Sequence, residues 1–124
     1  MFLHTRLKVR DMERSIAFYT EQLGFTVRDR STSPRGTQLT FLGMAGTPTE
    51  LELAFMPWDP DFTVPEDLYH LAFKVEDMLP TLTKMRAAGV KITEEASERS
   101  NGGHMAFIED PDGHEIELLS GPGL

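Results

Sequence analysis

An α+β fold built from two tandem β-α-β-β-β units on a shared, curved sheet is what this sequence predicts. Three observations carry it. Short runs alternate apolar and polar residues with the period of two that marks half-buried strands. Two stretches carry helical spacing, each opened by an Asp and closed by a Gly. The second half of the chain then repeats the first, element by element.

Taken in order, Phe2 to Arg10 puts Leu3, Thr5, Leu7 and Val9 on one face and His4, Arg6, Lys8 and Arg10 on the other, a half-buried strand. Asp11 is an N-cap for a helix whose apolar stripe is Met12, Ile16, Tyr19 and Leu23, and Gly24 ends that helix in the left-handed conformation. Strands follow at Phe25 to Arg30, Thr37 to Leu42 and Glu50 to Met56, separated by turn residues at Ser33-Pro34-Arg35-Gly36 and Gly43 to Pro48. Residues 57–66, with three prolines and the only Trp, read as a connector in which Trp58 packs against something.

The pattern then restarts. Tyr69 to Glu76 is a strand with Leu71, Phe73 and Val75 on one face and His70, Ala72, Lys74 and Glu76 on the other. Asp77 caps a helix carrying Met78, Leu82 and Met85, and Gly89 ends it. Strands are expected at Val90 to Thr93, Met105 to Glu109 and Glu115 to Leu119. In the last of these Pro111 and Gly113 supply the turn, after which Ile116 and Leu118 face one way and Glu115 and Glu117 the other. His4, Val9, Asp11 and Met12 recur as His70, Val75, Asp77 and Met78 at an offset of 66. Glu50-Leu51-Glu52-Leu53 recurs as Glu115-Ile116-Glu117-Leu118 at an offset of 65, with one residue dropped in the second helix region. The chain is one domain, with repeat one at about residues 1–56, the connector at 57–66 and repeat two at about 67–120. Each unit is too small to bury its helix-facing surface well alone.

Composition excludes several function classes. No run approaches the ~18 consecutive apolar residues of a membrane span. The formal net charge of −8 is the wrong sign for a nucleic-acid surface. Met1 to Arg10 already alternates like a strand and shows no signal-peptide h-region, so a cytoplasmic protein is expected. The absence of Cys removes disulfides, thiolate catalysis and Cys-based metal sites, leaving His and carboxylates as the strong metal ligands.

The apolar row of each strand must face the helix, the one cover available in such a unit. His4, Glu52, His70 and Glu117 then project to the opposite, inner face, one His and one Glu from each repeat. Two imidazoles and two carboxylates without thiols suit a divalent first-row metal or a hard, carboxylate-tolerant site. His104 and His114, at strand starts, read as exposed polar residues, Glu50 and Glu115 as rim residues, and Met12, Met78 and Met85 as helix core.

The chain resembles the vicinal oxygen chelate superfamily, and within it glyoxalase I (lactoylglutathione lyase). The resemblance rests on His4-Thr5-x-Leu7-x-Val9-x-Asp11-Met12-x-Arg14-Ser15-Ile16-x-Phe18-Tyr19, Leu23-Gly24, Glu52-Leu53, His70-Leu71-Ala72-Phe73-x-Val75 and Glu109-Asp110-Pro111-Asp112-Gly113-x-x-Ile116-Glu117-Leu118. It implies a U-shaped mixed sheet with helices on the outer face, around one divalent metal held by His4, Glu52, His70 and Glu117. It also implies a homodimer in which His4 and Glu52 of one subunit join His70 and Glu117 of the other. The shortness of the chain looks like the class using Ni²⁺ or Co²⁺ rather than Zn²⁺.

The implied reaction converts the hemithioacetal of methylglyoxal and a thiol such as glutathione to the S-D-lactoyl thioester. Glu117 is the first choice for the catalytic base and Glu52 the alternative. Lys8 and Arg99 are the residues expected to meet the carboxylates of the thiol co-substrate. Lys8 stands where similar enzymes carry Arg, and Met56 where they carry Asn, so glutathione itself is left open. Two rivals stand beside this reading. One is another metal enzyme of the superfamily, such as an epimerase, thiol transferase or dioxygenase; the other is a metal-free small-molecule-binding resistance protein.

Overall fold

The structure, a computed structural model, describes residues 1–124. It contains two compact units, Met1–Thr63 and Val64–Leu124, each a β-α-β-β-β repeat. The first runs β1 (His4–Lys8), α1 (Met12–Leu23), β2 (Thr26–Thr32), β3 (Gln38–Gly43) and β4 (Glu50–Phe55). The second runs β5 (Leu71–Lys74), α2 (Met78–Ala87), β6 (Lys91–Glu98), β7 (His104–Glu109) and β8 (Glu115–Ser120). Ladder hydrogen bonds run within each unit, giving two four-stranded mixed sheets of order β1-β4-β3-β2 and β5-β8-β7-β6. In both, the first and last strands of the repeat pair in parallel at the sheet's side, and the remaining neighbours are antiparallel. A parallel pair needs a long crossover, and here the helix and two further strands supply it.

In the first unit Asp11 caps α1 as expected: its extended backbone (φ −143°) lets the side chain accept from the Arg14 N–H at 3.1 Å. Gly24 closes the helix at φ 78°, a conformation that costs a residue with a Cβ but not glycine. The buried stripe is Met12, Ser15, Phe18 and Tyr19, rotated from the expected one, with Ile16 and Leu23 only half-buried. Met12 and Tyr19 stay buried as expected, and Phe18, larger than Ile16 or Leu23, packs edge-to-face on Tyr19 at 5.0 Å and joins them at the centre. Leu7, Val9, Leu42, Leu51 and Leu53 of the same unit are buried as well.

In the second unit α2 buries Met78, Leu82 and Met85, the stripe its spacing predicts. Ile108, Ile116 and Leu118 are fully buried beneath it, while Glu115 and Glu117 alternate onto the other face. The Asp110–Gly113 turn fixes where β8 begins. The Asp110 carboxylate accepts from the N–H of Asp112 and of His114, both at 2.9 Å, and the Gly113 N–H returns to the Asp110 carbonyl at 3.1 Å.

Some boundaries move. The strands expected at Phe2–Arg10 and Tyr69–Glu76 shorten to His4–Lys8 and Leu71–Lys74, because each pairs only as far as its parallel partner runs. The strand expected at Val90–Thr93 continues to Glu98 through two register shifts against β7. One residue is dropped in the second helix region as expected: Met12 and Met78 stand 66 apart, whereas Gly24 and Gly89, which follow the two helices, stand 65 apart. β6 is one residue longer than β2, which restores the offset of 66 at Phe41 and Phe107, and the β7–β8 turn brings it back to 65. The Asp-rich turn closes in one residue fewer than Met44–Thr49 between β3 and β4. Residues of the connector belong structurally to the first unit: Lys8 pairs with Asp59, and Arg10 donates to the Phe62 carbonyl and stacks 4.2 Å from that ring's centre. No helix is long and apolar enough to cross a membrane.

Candidate metal centre and catalytic carboxylates

Each unit presents one His–Glu pair on the face of its sheet away from the helix. In the first, His4 opens β1 and Glu52 lies inside β4, with His4 Nε2 3.5 Å from Glu52 Oε2. In the second, His70 immediately precedes β5 and Glu117 lies in β8, with His70 Nε2 3.6 Å from Glu117 Oε1. The carboxylates sit deep, with side-chain exposures of 4% for Glu52 and 18% for Glu117, whereas the imidazoles are more open at 41% and 46%. The four residues singled out in the sequence thus form two like pairs.

The pairs share a support that the sequence reading missed. Phe41 is the cross-strand partner of Glu52, and its ring meets His4 edge-to-face at 5.4 Å. Phe107 is the cross-strand partner of Glu117 and meets His70 edge-to-face at 5.5 Å. Each phenylalanine ring packs against an imidazole and helps fix its orientation. The same 66-residue offset that relates His4 to His70 relates Phe41 to Phe107, and that was the signal available for them.

The donor chemistry fits a divalent cation. Two ligand atoms each roughly 2.0–2.2 Å from a common metal stand roughly 3–3.5 Å apart at tetrahedral or octahedral angles. The two observed separations of 3.5 and 3.6 Å lie at the upper edge of that range. Imidazole nitrogen and carboxylate oxygen together suit first-row divalent ions.

The pairs differ in one charged neighbour. Arg6, on the same face of β1 as His4, is the register partner of Glu52, and its Nε is bonded to Glu52 Oε1. At the equivalent place in the second unit Ala72 is the register partner of Glu117.

The other sequence candidates are placed as follows. Lys8 lies two residues beyond Arg6 on the same face, paired to Asp59 and 5.2 Å from the Phe62 ring centre. Arg99 is occupied structurally, its Nη1 donating to the carbonyls of Ser120 at 2.9 Å and Pro122 at 3.3 Å. Trp58 does pack, with the Arg35 guanidinium 5.6 Å over its ring. Glu115 accepts from the Asp67 N–H at 2.7 Å, and Glu50 lies 3.6 Å from Arg28, both consistent with rim positions.

His114 is corrected. It is 2% exposed rather than a surface residue, because its Nδ1 hydrogen-bonds the Tyr69 hydroxyl and the turn folds it inward. Burial, with the Asp110 and Glu115 carboxylates added, pushes the Tyr69 phenol above its ordinary pKa of 10.0. Asp110, Asp112 and His114 have ligand-type atoms within 4.8 Å of one another. Asp110 Oδ1 accepts from both turn N–H groups, so the cluster braces the turn from within.

The chain thus combines a repeated β-α-β-β-β fold with one His–Glu pair in each repeat. A model of the Glyoxalase/Bleomycin resistance protein/Dioxygenase superfamily matches residues 2–118, and the chain belongs to that superfamily. Within it, the chain is a lactoylglutathione lyase-like enzyme, by its likeness to curated relatives across nearly its whole length. It is 38% identical over 122 residues to the lactoylglutathione lyase of Haemophilus influenzae, covering 94% of this chain and 90% of that one. To the lactoylglutathione lyase of Salmonella typhimurium it is 36% identical over 122 residues, with the same coverage. Among solved structures, the trypanothione-dependent glyoxalase I of Leishmania major superposes with a TM-score of 0.82 at 39% identity, covering 97% of this chain and 86% of that one.

Proposed function

We propose that the protein is a metal-dependent glyoxalase I-type lyase that converts the hemithioacetal of methylglyoxal and a low-molecular-weight thiol to the S-D-lactoyl thioester. The observation that carries this is the pair of like His–Glu sets at 3.5 and 3.6 Å, one in each repeat of a chain with lactoylglutathione lyase relatives. His4, Glu52, His70 and Glu117 hold one divalent ion, Ni²⁺ or Co²⁺ in preference to Zn²⁺. The His4–Glu52 half of one subunit is completed by the His70–Glu117 half of a second in a cytoplasmic homodimer.

When bound, the dication supplies positive charge against the enediolate that forms as the proton leaves. His4 and His70 serve as neutral imidazoles, each steadied by its phenylalanine edge. Glu117 takes the proton from the thiol-bearing carbon and returns it to the adjacent carbon, so the substrate is isomerised without net gain or loss. Glu117 is favoured over Glu52 because its register partner is Ala72, which leaves the carboxylate free to move, whereas Glu52 is bonded to Arg6. Lys8, paired with Asp59, is the cation favoured for a carboxylate of the thiol. Arg99 is the weaker candidate because its guanidinium already serves two carbonyls. A relative in Leishmania major uses trypanothione, which supports leaving the thiol open among the glyoxalase I-type enzymes.

The test is metal content followed by turnover. Protein incubated with Ni²⁺, Co²⁺ or Zn²⁺ and desalted is expected to retain one ion per four-residue site. The loaded protein is then expected to form thioester from methylglyoxal with at least one of glutathione and trypanothione. Retention of metal with no thioester from either thiol would overturn the lyase reading, and no retained metal would favour the small-molecule binder.

A further inference from the structure

The two half-sites carry different charge. With both carboxylates ionised and both imidazoles neutral, the Glu117 half bears one negative charge and the Glu52 half bears none, because Arg6 stands at its carboxylate. The arrangement divides the carboxylate of Glu52: Oε1 is taken by Arg6 Nε, and Oε2 faces His4 Nε2 at 3.5 Å. Glu52 is almost fully buried, and an ionised carboxylate at that depth needs a charge partner. Arg6 meets that need without a metal. Its own side chain is 48% exposed, so the guanidinium is a boundary group and not part of the core.

We propose that Arg6 is an internal counter-ion that occupies Glu52 before any metal does, and so sets how tightly the site takes a dication. An incoming ion must share Glu52 with a fixed positive charge one carboxylate away, and like charges at that range repel. The His70–Glu117 half, opposite Ala72, has no such competitor. It is therefore the half with the stronger pull on a dication, and the His4–Glu52 half the weaker. Arg6 is a positioning residue in this scheme: it acts through Glu52 and touches neither substrate nor reacting atoms. The proposal rests on the metal reading given above for the same four residues.

The experiment compares Ni²⁺ affinity by chelator competition in full-length wild type, Arg6→Ala, Arg6→Gln and Arg6→Lys, with thermal midpoints of the metal-free and Ni²⁺-loaded proteins. Removing the charge is expected to tighten Ni²⁺ binding about tenfold or more in both the Ala and Gln variants. The metal-free midpoint of Arg6→Ala should fall, since Glu52 loses its partner, and the rise on adding Ni²⁺ should grow. Arg6→Lys keeps the charge and should stay near wild type. Unchanged or weaker affinity in Arg6→Ala and Arg6→Gln overturns the proposal, as does Arg6→Lys behaving like Arg6→Ala. Wild type that takes up no Ni²⁺ overturns the metal reading itself, whereas tight wild-type binding indifferent to Arg6 overturns this proposal alone.

Discussion

The Tyr69 hydroxyl and Nδ1 of His114 share a hydrogen bond that ties the residue before His70 to the residue before β8. Since β5 and β8 are parallel neighbours, this link sets the entry of both strands and with it the approach of His70 to Glu117. The Tyr69 phenol has a pKa raised in the folded protein, chiefly by burial. A group that holds its proton more tightly when folded adds stability below its unfolded pKa of 10.0, and that contribution is lost as pH rises through the folded value. Wild type should therefore lose thermal stability more steeply than Tyr69→Phe above pH 10.0, the two differing by a constant amount below it. Melting curves across that window check this; parallel profiles would show that Tyr69 does not couple folding to its proton.

Glu117→Gln should remove the proposed base while keeping the shape of the site. A positioned general base contributes about 10²–10⁴-fold. Turnover with methylglyoxal and the active thiol is expected to fall by about that factor, with the sedimentation behaviour of wild type retained. Glu52→Gln should instead show its main loss in metal affinity, since Glu52 is the proposed ligand whose carboxylate Arg6 holds in place. Undiminished turnover in Glu117→Gln would remove Glu117 from the role of base.

Leu53 and Leu118 are repeat partners and both are fully buried on the helix-facing side of their sheets. Truncating either to Ala removes its packing and leaves a cavity, at a cost of about 2–5 kcal/mol. Leu79→Ala, at a position 64% exposed, is expected to stay within about 0.5 kcal/mol of wild type. Urea unfolding midpoints of the three variants test this ordering, and a Leu118→Ala midpoint equal to that of Leu79→Ala would contradict the core as described.

Local chemistry made much of this protein readable from its residues alone. Asp11 and Gly24 delimit α1 because capping and left-handed φ depend on one or two residues. The alternation through Glu115–Leu118 survives folding because a strand has no other way to divide its faces. The repeat placed one His and one Glu on the open face of each unit, and both pairs meet within their sheets.

What only the tertiary structure decided is who stands opposite whom. Register across β1 and β4 sets Arg6 against Glu52, while register across β5 and β8 sets Ala72 against Glu117, so two carboxylates that look equivalent along the chain acquire different neighbours. The burial of His114 is of the same kind: its partner Tyr69 lies 45 residues away and only the β5–β8 pairing brings them together. Caps and alternation are set by covalent neighbours, which a sequence displays. Cross-strand partners are set by how strands align, and that alignment is fixed by the packing of the whole unit.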